Sequence, residues 1–153
     1  DVKERPDPEG WQYVFGIRVR YGASDNKIYD NTVIARSVPG FKGATAIKLS
    51  DDALRNEFYN NNVSAFTYSI VSGQEARAVH IEALPTGSGN IFHNNILTSN
   101  NQNIYLFGWP QDKANDILFR SETLVKADNP INYLAIYGYI GAQNNTFLDT
   151  RFG

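Results

Sequence analysis

Cysteine and methionine are both absent from this 153-residue chain. Without cysteine there is no disulfide scaffold and no thiolate metal site. Without methionine, even at position 1, the chain is expected to be a mature product, a trimmed form or a piece of something longer. Histidine is scarce. His80 and His93 stand thirteen positions apart, a poor basis for a transition-metal site, so no metal is expected. A dominant charge is also missing: the net charge is −2 and the sequence pI about 5.6. Nucleic-acid binders carry a basic excess, so no nucleic-acid partner is expected.

Long hydrophobic runs are lacking too. The longest, at 104–109 and 133–137, fall far short of the roughly 18 residues that span a bilayer. The charged, proline-rich start has no apolar stretch of the signal-peptide kind, and residues 1–15 read as a lead-in segment or linker. GxGxxG, P-loop, HExxH and GxSxG motifs do not occur. Asn62-Val-Ser64 and Asn144-Asn-Thr146 fit the glycosylation sequon, which matters only in a eukaryotic secretory host.

What the chain has in quantity is asparagine, 17 residues, a type that suits neither helices nor ordinary strands. Many of them recur in order. Asn26-Lys-Ile28-Tyr29-Asp30-Asn31-Thr-Val33 aligns with Asn56-Glu-Phe58-Tyr59-Asn60-Asn61-Asn-Val63 and with Asn90-Ile-Phe92-His93-Asn94-Asn95-Ile-Leu97. Weaker copies start at Asn115 and Asn145, so the leading Asn recurs at intervals of 30, 34, 25 and 30. A second block precedes each copy: Gly16-Ile17-Arg18-Val19, Ala46-Ile47-Lys48-Leu49, Ala78-Val79-His80-Ile81, Asn103-Ile104-Tyr105-Leu106 and Ala135-Ile136-Tyr137-Gly138. Both blocks alternate with period 2, and turn-forming residues fill the gaps. Connections this short exclude crossover helices and point to a coiled solenoid with parallel stacked strands. Ser50 to Tyr59 competes as a capped amphipathic helix, with Ser50 as N-cap and Leu54 and Phe58 four apart. The repeat alignment favours a turn or one short helical turn near 51–54, followed by a strand.

The Asn-x-apolar-x-x-Asn-x-apolar pattern resembles the right-handed parallel β-helix repeat of pectate-lyase-like proteins, phage tailspikes and the carbohydrate-binding and sugar-hydrolase repeat family. The likeness covers roughly residues 16–152 and matches no single enzyme family. It implies an all-β, right-handed parallel β-helix (solenoid) of about five coils over residues 16–153. It also implies asparagine ladders, with side-chain amides bonding coil to coil at the inter-strand spacing of about 4.8 Å. Asn31, Asn61 and Asn95 form the first candidate ladder, ended by Arg120 and Thr150. Asn26, Asn56, Asn90, Asn115 and Asn145 form the second. Alternation then gives three inward columns. They are Ile17, Ile47, Val79, Ile104 and Ile136; Val19, Leu49, Ile81 and Leu106; and Ile28, Phe58, Phe92, Ile117 and Phe147.

Outward, one column carries Arg18, Lys48, His80, Tyr105 and Tyr137. Beside it run Arg20, Ser50, Glu82, Phe107 and Tyr139, with Trp109 in the adjoining loop. Aromatic rings stack on sugar rings and cations bind hydroxyls or carboxylates, so this face suits a polysaccharide or other glycan. Arg18, Arg20, Tyr105, Phe107, Trp109, Tyr137 and Tyr139 are the candidate substrate-binding residues. Lys48, His80 and Glu82 are the candidate catalytic ones. His93, Tyr29 and Tyr59 make a similar column on another face. The bland reading is a solvated sheet face.

The resemblance implies, for a lyase, a Lys, Arg or His base, often with Ca²⁺ held by Asp or Glu. For a glycoside hydrolase it implies paired carboxylates. Besides Glu82 only Asp51 and Asp52 offer carboxylates nearby, and these two read as turn residues. Otherwise no cofactor is expected. The expectation is a secreted module, extracellular or at the cell surface, that binds or processes polysaccharide as part of a larger protein or assembly. The alternative is a non-catalytic surface or filament subunit that self-associates through open solenoid ends.

Overall fold

The computed structural model describes residues 13–38, 41–68, 75–108, 114–128, 130, 133–138 and 142–153. Among them the chain is all β. None forms a helix, so none forms a helix long and apolar enough to cross a membrane. The strands come in rungs. The first rung holds β1 (Tyr13–Val19), β2 (Lys27–Tyr29) and β3 (Thr32–Arg36); the second holds β4 (Gly43–Leu49), β5 (Glu57–Tyr59) and β6 (Asn62–Phe66). The third holds β7 (Glu75–Glu82), β8 (Ile91–His93) and β9 (Ile96–Ser99). The fourth holds β10 (Gln102–Phe107), β11 (Ala114–Asn115), β12 (Leu118–Arg120) and β13 (Thr123–Lys126). The fifth holds β14 (Leu134–Gly138), β15 (Ala142–Gln143), β16 (Thr146–Leu148) and β17 (Arg151–Phe152).

Equivalent strands pair in parallel from rung to rung. They build three five-stranded sheets, β1-β4-β7-β10-β14, β2-β5-β8-β12-β16 and β3-β6-β9-β13-β17, with β11-β15 as a two-stranded addition. The result is the expected parallel β-solenoid, of about four turns.

Two corners repeat one device. Between the first and second sheets, Asp25, Arg55, Gly89, Asp116 and Asn144 all have positive φ, and between the second and third, Asp30, Asn60, Asn94, Ser121 and Asp149 do. Asp and Asn enter this left-handed region more readily than other side chains, and Gly enters it freely. The residue that follows each of them is the ladder position. Asn61 Oδ1 accepts from Asn31 N and Nδ2, both at 3.1 Å, and Asn95 Oδ1 accepts from Asn61 N and Nδ2 at 2.9 and 3.0 Å. Asn61 Nδ2 also donates to Ile28 O at 2.9 Å, so its amide is fully used. Asn26, Asn56 and Asn90 bond in the same way at the other corner.

This device corrects the alignment of the fourth rung. Asp116 is the left-handed corner residue there, so Ile117, not Asn115, occupies the ladder position after Asn90. Ile117 has no side-chain amide and interrupts the ladder, although its backbone N–H donates to Asn145 Oδ1 at 3.2 Å. Asn115 instead pairs with Gln143 in the small two-stranded sheet. For the same reason the third inward column runs through Phe119 rather than Ile117. At the other corner the residue beyond Asn95 is Glu122, not Arg120; Arg120 lies beside His93 on the outside.

The inward columns form a dry core. Ile47, Val79, Ile104, Leu49 and Ile81 are fully buried, and Phe58, Phe92, Phe119 and Phe147 stack face to face at 4.5, 5.0 and 4.8 Å. The helical alternative over 50–59 is absent, and the chain makes a non-helical turn at 51–54 before the strand. Asp51 and Asp52 have φ of 53° and 63°, which no right-handed helix accommodates, and Ser50 Oγ donates to Asp51 Oδ2 at 3.0 Å instead of capping. Leu54 bridges to Ser24, and β5 follows.

Candidate functional site

The outer face of the first sheet carries a cleft of about 320 Å³, lined by Tyr13, Phe15, Thr45, Lys48, Arg77, His80, Glu82, Tyr105 and Phe107. Its shape comes from a break in strand alternation. In β4, Ala44, Ala46, Ile47 and Leu49 belong to the core while Thr45 and Lys48 line the cleft. In β7, Ala76, Ala78, Val79 and Ile81 face in while Arg77, His80 and Glu82 face out. Two successive inward residues thus separate two outward ones, and side chains three apart come onto one face. The first of the two is small, Gly16, Ala46 or Ala78. At Gly16 a Cβ would lie 2.6 Å from both Ala46 O and Val33 Cγ1, so only glycine fits.

Of the residues anticipated from alternation, Lys48, His80, Glu82, Tyr105 and Phe107 come together in the cleft. Tyr137 stacks on Tyr105 at 5.3 Å, next to it. Arg18 pairs in register with Lys48 and lies at the rim, its guanidinium 5.1 Å from the centre of the Phe15 ring. Arg20 does not join the cleft. It lies over the Tyr21 ring at 4.3 Å and lines, with Arg18 and Lys27, a separate open groove beside the first rung. Ser50 is fully buried rather than outward. Trp109 and Tyr139 lie outside the described residues. On the second sheet Tyr29, Tyr59 and His93 do form a column, stacked at 4.9 and 5.0 Å.

Strict alternation misses Thr45 and Arg77, because it points the residue before each small one inward, and a lead-in segment of residues 1–15 leaves out Tyr13 and Phe15. The signal that would have found them is the doublet of inward-suited residues opening each block, Gly16-Ile17, Ala46-Ile47 and Ala78-Val79.

Arg77 is held on every side. Its Nε donates to Gln102 Oε1 at 3.2 Å, its guanidinium pairs with Glu75, and its Cζ lies 3.8 Å over the Tyr105 ring. Its Nη1 stands 3.3 Å from His80 Nδ1. Arginine only donates, so Nδ1 must be the bare nitrogen and the His80 proton sits on Nε2. Burial and the neighbouring cations push the His80 pKa down to about 4, against the pull of Glu82. His80 is therefore neutral at pH 7. Nε2 is 3.1 Å from Glu82 Oε2 but lacks a hydrogen-bonding partner of proper geometry.

Burial pushes the Glu82 carboxyl upward, but His80 and the ion-paired Lys48 outweigh it and hold the pKa at about 2. Burial lowers the Lys48 pKa, opposed by Glu82. Burial also raises the Tyr13 hydroxyl, with Arg77 opposing. Among the described residues no three His, Asp or Glu side chains stand close enough to share a metal ion. Glu82 and Glu75 are both engaged by cations, so the carboxylate set does not fit the Ca²⁺ of lyase chemistry.

Comparison with family profiles, curated proteins and solved structures finds no match to this chain. The fold stands as a parallel β-solenoid, without assignment to a pectate-lyase-like family.

Proposed function

We propose that the first-sheet cleft binds a glycan chain. The observation that carries this reading is the pairing of half-exposed aromatic walls, Tyr13, Phe15 and Phe107, with a polar floor of charged Lys48, Arg77 and Glu82 and neutral His80. Sugar rings present apolar C–H faces and polar rims, and such a site offers partners for both. The likeness of the repeat to carbohydrate-binding β-helix proteins supports the reading and, with it, an extracellular or cell-surface setting. Binding is favoured over catalysis because, among the described residues, Glu82 is the one carboxylate lining the cleft, where hydrolysis needs a pair, and it is ion-paired with Lys48, the candidate base. Affinity electrophoresis against acidic and neutral polysaccharides tests the reading. Retention is expected for at least one class and is lost in Phe107→Ala and Glu82→Gln. A chain unretarded by both classes rejects it, and release of oligosaccharides would move it to a lyase or hydrolase.

A second reading, self-association, draws on the fifth rung. There, among the described residues, β14, β16 and β17 each pair along one edge only, and Leu134, Leu148 and Phe152 are exposed. It predicts concentration-dependent assemblies in light scattering, and a clean monomer at high concentration rejects it.

A further inference from the structure

The Asn31–Asn61–Asn95 ladder does not end in another amide. The next position is Glu122, fully buried, whose Oε1 accepts from Asn95 Nδ2 at 3.1 Å. Its Oε2 is buried with no hydrogen-bonding partner, and one rung further on the buried Thr150 Oγ1 also lacks one. Among the described residues no cation pairs with it. Arg120 on its own turn and Asp149 and Arg151 on the turn above are exposed, and His93 below is engaged with Glu57 at 3.0 Å. Among the described residues, the groups that act on the Glu122 carboxyl from the packed rungs are the side-chain and backbone N–H of Asn95. An ionised carboxylate with one bare oxygen in such a place is costly, whereas the protonated acid has one acceptor and one donor, as an amide has.

We propose that Glu122 stands in the ladder as a neutral carboxylic acid mimicking asparagine, and that loss of its proton releases β13 and the strands after it from the third rung. Burial pushes the Glu122 pKa up to about 8, in the direction this requires. The sign follows from linkage. An acid whose pKa is raised by folding stabilises the fold below its unfolded value of about 4.5, and that contribution is lost as pH rises through about 8. The solenoid thereby carries a pH-dependent latch between β9 and β13, and opening it would bare the β9 edge for pairing.

The test is hydrogen exchange of β13 and β17 amides from pH 5.5 to 7.5, each rate divided by the intrinsic one. The opening constant should rise about tenfold per pH unit in the native chain and stay flat in Glu122→Gln. A second measurement needs no variant: the ¹³C carboxyl resonances of the native protein should include one glutamate titrating near pH 8. A flat native profile, an equal slope in Glu122→Gln, or glutamates that all titrate in the ordinary range would each overturn the proposal.

Discussion

The second and third rungs and the fourth and fifth are built from the same repeat, yet they are held differently. In the inner pair Ile47, Val79, Phe58 and Phe92 are wholly buried and every ladder position is an asparagine. In the outer pair Ile104 and Phe119 of the fourth rung stay buried while Ile136 and Phe147 of the fifth are only partly so, and the ladder positions hold Ile117, Glu122, Asn145 and Thr150. The residue types scarcely change along the inward columns; the neighbours do. In a solenoid each rung is stabilised by the rungs next to it, so position in the stack sets how much a given side chain contributes.

The largest expected break in this contrast is Phe92→Ala against Phe147→Ala. Phe92 lies between two rings with no exposure, and truncation should cost about 3–5 kcal/mol. Phe147 is half-covered and should cost roughly 1–2 kcal/mol. Urea unfolding of the two variants decides it, and equal losses would refute the nearest-neighbour account.

Acid comes next. His80 is folded neutral with a pKa of about 4, so its contribution is complete above about 6.5 and declines as pH falls towards 4. The decline should be about 1.4 kcal/mol per pH unit across that window. Glu82, held at about 2, adds a further loss below about 4.5. His80→Gln should remove the first phase in pH-dependent melting and leave the second. The inner rungs should therefore weaken as pH falls below about 6.5, and the outer ones as it rises from about 4.5 to about 8.

Smaller still is the ladder itself. Asn95→Ala removes a buried amide that bonds to three neighbours, costing about 1–3 kcal/mol, while Asn145→Ala should stay within about 1 kcal/mol. Arg55→Ala marks the lower limit. Arg55 and Asp25 make a close bidentate pair across rungs, but more than half of each side chain is exposed, and denaturation should show no resolvable change.

Much of this was legible in the residues because period-2 alternation and repeat spacing are local properties. They gave the first two core columns and five of the cleft's residues, and the resemblance to the β-helix repeat added the three-asparagine ladder. The fourth rung was misread because matching on asparagine put Asn115 where Ile117 stands. What recurs at that corner is the left-handed backbone of Asp116, and identity alone does not show it. The cleft was half-read because two consecutive inward residues reverse the face of everything before them. Arg77, which fixes the His80 tautomer, lies on the far side of that reversal. Glu122 escaped notice because a glutamate in sequence reads as charged; its burial follows only from the register.

The join between the second and third sheets takes two residues in every rung, at 30–31, 60–61, 94–95, 121–122 and 149–150, while the other connections differ in length. This one corner behaves like the binding of a book: it keeps the rungs in phase whatever is added elsewhere. Chain inserted at the other joins would lengthen loops beside the cleft without changing which side chains meet in the stack. The molecule can thus vary the surroundings of its cleft and its core independently.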